Sequence, residues 1–91
     1  NFPNPFNAVT TLRFSLPEES AVSIVLYDLL GQKIVTLADR ASYSAGNHIL
    51  IWDGHDDLGK MMSTGVYFYR MEALSGGTAV FQDARKLIML K

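Results

Sequence analysis

From Thr11 to Leu16 the chain alternates polar and apolar without a break, with Leu12, Phe14 and Leu16 on one parity and Thr11, Arg13 and Ser15 on the other. A period of two places successive side chains on opposite faces, so the segment reads as a half-buried strand with its apolar residues inward. Pro17-Glu18-Glu19-Ser20 is a polar turn. Ala21 to Tyr27 reads as a second strand with Val22, Ile24 and Leu26 inward. Its other face carries Val25 and Tyr27, which predicts a central strand covered on both sides. Asp28-Leu29-Leu30-Gly31-Gln32 is a turn, in which Gly31 supplies a positive φ and Asp28 bonds the backbone ahead of it. Lys33 to Leu37 returns as a third strand. Ala38 to Gly46, with Ser42 and Ser44, reads as a polar loop, and Asn47 to Asp53 as a fourth strand with His48, Leu50 and Trp52 on one face.

Asp53-Gly54-His55-Asp56-Asp57-Leu58-Gly59 is the densest turn signal, and its loop runs on through Met61, Met62, Ser63 and Thr64. Val66 to Ala73 is a fifth strand. Tyr67, Tyr69 and Met71 share one of its faces, while Val66, Phe68 and Arg70 share the other. One face packs the core; the other is covered by the terminal strand or exposed as a contact patch, and the pattern does not choose. Gly76-Gly77 turns the chain back. Ala79 to Leu90 is long enough for one bent strand or two, with Arg85-Lys86 as the expected break. At the other end Pro3 and Pro5 fix φ and disfavour helix before them, so Phe2 and Phe6 lie in an extended stretch that pins onto the body of the domain. No window carries a helical period. Six or seven short strands spaced by turns predict an antiparallel β-sandwich. Its expected core includes Leu12, Phe14, Ile24, Leu26, Leu50 and Trp52.

Composition narrows the function classes. The 91 residues, 48% hydrophobic, make a single domain over residues 1–91 with a packed interior. A net charge of −1, with Arg85-Lys86 the sole adjacent cationic pair, offers no basic patch to a phosphate backbone, so no nucleic-acid partner is expected. The absence of cysteine removes disulfides, thiol catalysis and Cys-based zinc sites. No apolar run approaches the ~20 residues of a membrane-spanning helix. No signal peptide precedes Asn1, and an exported protein needs one, so Asn1 is expected to be an internal boundary of a longer precursor.

Candidate chemistry is sparse. Asp53, Asp56 and Asp57 form the one oxygen-rich cluster that suits calcium, but the spacing departs from the EF-hand loop and no Glu closes it. The preferred reading is that Asp53 and Asp57 accept backbone N–H groups in consecutive turns. His48 shares the parity of Trp52 and is expected to pack at a sheet end; His55 is expected in solvent. No G-x-S-x-G elbow marks a nucleophile, and a core of this size rarely builds a catalytic cleft. The expectation is therefore no enzyme, no metal, no cofactor and no small-molecule substrate. Trp52, Tyr67 and Tyr69 could make a sugar platform, yet Trp52 lies mid-strand between apolar neighbours, which is a core position.

Five segments in order carry a family resemblance: Pro3-Asn4-Pro5-Phe6-Asn7 followed by Thr10-Thr11-Leu12-Arg13-Phe14; Tyr27-Asp28-Leu29-Leu30-Gly31-Gln32-Lys33; Gly46-Asn47-His48 leading to Trp52-Asp53-Gly54; Ser63-Thr64-Gly65-Val66-Tyr67-Phe68-Tyr69-Arg70; and Arg85-Lys86-Leu87-Ile88-Met89-Leu90-Lys91. Across essentially its whole length the chain resembles the type A C-terminal sorting domain of the type IX secretion system, related to the Ig-like domain of the flagellar hook-cap protein. It departs from the family's common Pro-Ser-Thr with Ala8-Val9-Thr10. The resemblance implies an Ig-like sandwich of about seven strands, non-catalytic, at the end of a secreted protein of a diderm bacterium. It implies three partners: a covalently linked N-terminal cargo domain, an outer-membrane secretion machine that reads the domain, and a processing peptidase, by which domains of this family are commonly removed. The cargo would pass through the periplasm to the cell surface or the medium.

Recognition candidates under that reading are Gly65, Tyr67 and Arg70, with Lys86 and Lys91 flanking the last apolar run. The competing class is a structural or binding module: an Ig-like spacer, a hook-cap domain or an accessory carbohydrate-binding domain. A sorting signal sits at the true C-terminus of its precursor, whereas a spacer can be internal.

Overall fold

A computed structural model describes residues 10–90 of the chain. The expectations for Phe2, Pro3, Pro5, Phe6 and Lys91 lie outside the described residues. Six strands follow one another: β1 (Thr10–Leu16), β2 (Ser20–Tyr27), β3 (Lys33–Tyr43), β4 (Gly46–Trp52), β5 (Gly65–Ser75) and β6 (Thr78–Met89). All pairs are antiparallel. β1 and β4 form one sheet, and the other runs β3-β2-β5-β6. The architecture is the predicted all-β, Ig-like antiparallel sandwich. The described strands number six because the last segment is one strand. The break expected at Arg85-Lys86 is absent: Arg85 stands opposite Tyr69 and Lys86 opposite Phe68 in unbroken register. The one irregularity of this pair falls at Val80, an extra residue between Ala79 and Phe81. Charged side chains on an edge strand reach water without any bend, so they give the ladder no reason to stop.

The core is built from the inward parity of both sheets. Leu12, Leu16 and Trp52 come from the two-stranded sheet, while Val22, Ile24, Leu26, Tyr67, Tyr69, Met71, Ala73, Leu87 and Met89 come from the four-stranded one. Phe14 and Leu50, expected deep in the core, are only half-buried. Two strands cannot roof four, and these side chains face the partly open side of the sandwich. Trp52, 1% exposed, meets the Tyr67 ring edge-on at a centroid distance of 5.1 Å. Each ring also places its polar atom. Trp52 Nε1 donates to the His55 carbonyl at 2.9 Å, and the Tyr67 hydroxyl donates to the Ser63 carbonyl at 2.6 Å. The long 53–64 loop is thereby tied to the core by two aromatic groups.

Two further expectations change. The segment read as a polar loop from Ala38 continues β3 to Tyr43. It pairs with β2 through three one-residue irregularities, and Arg40 takes a positive φ of 51°. Such bulges scramble the period of two, which is why the second half of β3, from Ala38 to Tyr43, does not show in the hydropathy pattern. β2 is central, flanked by β3 and β5, but the outer face with Val25 and Tyr27 is half-buried rather than covered. The terminal strand lies beside β5, not over β2.

Candidate functional site

β5 decides which of its two faces packs. Tyr67, Tyr69 and Met71 go inward, and Phe68 and Arg70 go outward, where β6 lays its own outward residues alongside. The register sets three rows across the outer face of the sheet: Tyr27, Phe68 and Lys86; Val25, Arg70 and Ala84; Ser23, Glu72 and Gln82. Gln82 Nε2 donates to the Glu72 carboxylate at 3.1 Å, closing the last row. Next to the first row stand Val66 and, 56% exposed, Ile88. The face is an apolar strip of Tyr27, Phe68 and Ile88 carrying two diagonal cations, Arg70 and Lys86, both exposed. Diagonal neighbours across a ladder are within reach of one binding partner. Of the recognition candidates, the fold brings these two together.

Gly65 and Tyr67 are placed differently. Tyr67 is 5% exposed, and its ring belongs to the core, so it presents no surface to a partner. Gly65 opens β5 opposite Met89. A Cβ at this position would meet the Tyr67 ring at 4.0 Å, an ordinary contact, so sterics do not demand glycine there. The conspicuous Gly-Val-Tyr-Phe-Tyr segment is thus mainly a packing signature. Lys91 lies outside the described residues.

Sequence reasoning missed a second feature. Asp83 and Arg85 lie on the inward parity of β6, opposite Met71 and Tyr69, where the two-stranded sheet no longer covers them. Arg85 Nε donates to the Asp83 carboxylate, which raises the guanidinium pKa further above its ordinary value. Burial pushes the Tyr69 hydroxyl up, with Arg85 opposing the shift. With Arg13, Phe14, His48 and Met71 these groups line a groove of about 660 Å³ between the sheets. The His48 ring packs against Phe14 and Tyr43, at centroid distances of 5.3 and 4.9 Å, as expected of a sheet-end position, and its Nε2 sits 2.7 Å from the Ser44 carbonyl. The signal that could have found the pair is the Asp-x-Arg spacing, which on any strand puts both charges on one face.

The acidic loop separates into single-purpose turns. Asp53 Oδ1 accepts the His55 N–H at 3.0 Å. This bond holds the Asp53 carboxyl below its ordinary value, against a smaller opposing effect of burial and with further help from the His55 ring. His55 Nδ1 lies 3.2 Å from the same carboxylate, outside hydrogen-bond geometry. Asp56, not Asp57, makes the second local turn: its Oδ1 accepts from Leu58 at 3.0 Å and Lys60 at 2.8 Å. Asp57 reaches across to β3, accepting the Thr36 N–H at 3.2 Å with Lys33 Nζ 3.7 Å from its other oxygen. No three Asp, Glu, His or Cys side chains among the described residues converge on one point. The arrangement offers surfaces for binding and edges for strand pairing.

Comparison with known proteins follows the same line. A family model described as "Secretion system C-terminal sorting domain" matches residues 1–88. Among solved structures the fold is similar to FlgD from P. aeruginosa, with a TM-score of 0.72 and 23% identity over 90% of this chain. The chain spans 59% of that FlgD chain. No curated protein matches.

Proposed function

Because the chain belongs to the family of secretion-system C-terminal sorting domains, a non-catalytic family, we propose that it is the export address of a larger protein. In this reading the type IX machinery reads the domain and carries the linked cargo through the periplasm and across the outer membrane, to the cell surface or the medium. A processing peptidase then separates domain from cargo. The observation that carries the reading is the family match over residues 1–88. The geometry supports it with a surface suited to recognition: the apolar strip of Tyr27, Phe68 and Ile88 with Arg70 and Lys86 upon it. The likeness to FlgD concerns the fold, and a role as a structural spacer would use the same sandwich without that surface.

The test is a reporter with a periplasmic signal peptide, carrying residues 1–91 at its C-terminus, in a host with the type IX machinery. Export to the medium or surface is expected, and secretion of the reporter without the domain would refute the sorting role. Deleting residues 86–91 is uninformative, because it removes Leu87 and Met89, 8% and 0% exposed, from the core. Replacing Arg70 and Lys86 by Ser leaves the core intact and should strand the reporter in the periplasm. Normal export by that folded double variant would move the recognition surface elsewhere.

A further inference from the structure

The two margins of the four-stranded sheet differ. β3 carries three bulges, and the Asp57 loop occupies its outer side: Asp57 N–H donates to the Ile34 carbonyl at 3.1 Å, and its carboxylate takes the Thr36 N–H. β6 runs in even register from Phe81 to Met89, and among the described residues no strand pairs with its outer side, β1 of the other sheet being the neighbour that approaches it. Ala84 gives its N–H to the Asp83 carboxylate, at 2.9 Å, rather than to β5. Alternation along the strand then directs the backbone groups of Gln82, Ala84 and Lys86 to the open margin.

Asp83 and Arg85 flank Ala84 on the inner face, with side chains 29% and 64% exposed. Inward charges on an edge strand bar foreign strands, since pairing would cover them without a partner. A copy of the same strand is the exception. We propose that β6 pairs antiparallel with the β6 of a second copy about a two-fold axis through Ala84. Such an axis is isologous, so every contact occurs twice. Asp83 of each copy then faces Arg85 of the other, Gln82 faces Lys86, and the small Ala84 faces itself. An axis at Asp83 would oppose two carboxylates, and one at Arg85 two guanidinium groups, so the sign pattern selects Ala84. In this register the Ala84 pair exchanges two N–H···O bonds, and Asp83 and Arg85 fall in the closer, non-hydrogen-bonded pairs. Pairing requires Asp83 to release the Ala84 N–H, which turns the carboxylate from a cap on the margin into a contact across it. A short edge-to-edge contact is a small interface, so the dimer is weak and reversible.

Sedimentation equilibrium of the 91-residue chain from ~10 μM to ~1 mM, the range of a small interface, tests this. The native chain should dimerise reversibly. Asp83→Arg alone and Arg85→Asp alone each set like charges opposite one another and should weaken the dimer about tenfold or more. An equimolar mixture of the two single variants should form a heterodimer, since each then supplies the sign the other lacks. The double variant Asp83→Arg with Arg85→Asp keeps the intrachain pair and should dimerise like the native chain, whether or not a single variant folds. Near-UV circular dichroism of Trp52 monitors the fold. A native chain that stays monomeric throughout overturns the proposal. So does a double variant that stays monomeric, or a slowly exchanging dimer indifferent to these charges.

Discussion

Trp52 joins three parts of the molecule at one residue: β4, the core ring of Tyr67 and the carbonyl of His55. Replacing it by Ala should cost about 3–5 kcal/mol through lost burial and a residual cavity. Against a domain stability of about 5–15 kcal/mol this is a large share, and urea denaturation would show the midpoint fall accordingly. Tyr67→Phe keeps the ring and loses the bond to Ser63; the expected cost is about 1 kcal/mol by the same measurement. Asp53 gives the pH dependence. Its folded pKa is depressed, so its contribution is present above the unfolded value, near 3.8, and disappears as pH falls through the lower folded value. Asp53→Asn keeps an acceptor for the His55 N–H but does not titrate. The native chain should therefore lose stability relative to this variant below pH 3.8, a small effect at so exposed a carboxylate.

At the scale of elements, one turn design occurs twice. Asp28-x-Leu30-Gly31-Gln32 and Asp56-x-Leu58-Gly59-Lys60 both wrap two backbone N–H groups onto the leading aspartate, and both place Gly at a φ of 82–83°. A side chain in that left-handed region is strained, so Gly31→Ala or Gly59→Ala should cost about 1 kcal/mol although each has open space around it. Because Asp53, Asp56 and Asp57 are each committed to different backbone donors, a calcium chelator should leave the melting temperature unchanged. A drop restored by calcium would show that the loop binds the ion. The turns were legible because Asp and Gly act on their own neighbours. The length of β3 was not, since bulges shift its parity and only pairing with β2 holds it extended.

For the whole molecule the consequential fact is uneven coverage. The two-stranded sheet buries Trp52 and Leu12 yet leaves Phe14 and Leu50 half-buried and the Asp83–Arg85 pair at a groove. A long-range expectation follows: Arg70→Ser and Lys86→Ser together should leave the unfolding midpoint within about 0.5 kcal/mol of native, because exposed charges contribute little to folding. Reporter export by the same folded variant should fall, so the two measurements separate recognition from stability. By itself the sequence determined the strand parities, the Asp/Gly turns, the sandwich class and the family motifs. Those are local signals, written in alternation and in residues that bond their own neighbours. Only the tertiary structure decided which face of β5 is inward, that β6 lies at an edge rather than over the sheet, and that Arg70 and Lys86 stand diagonally on one exposed face while Tyr67 is buried. These depend on strand order and register, which are fixed by pairing between segments far apart in the chain.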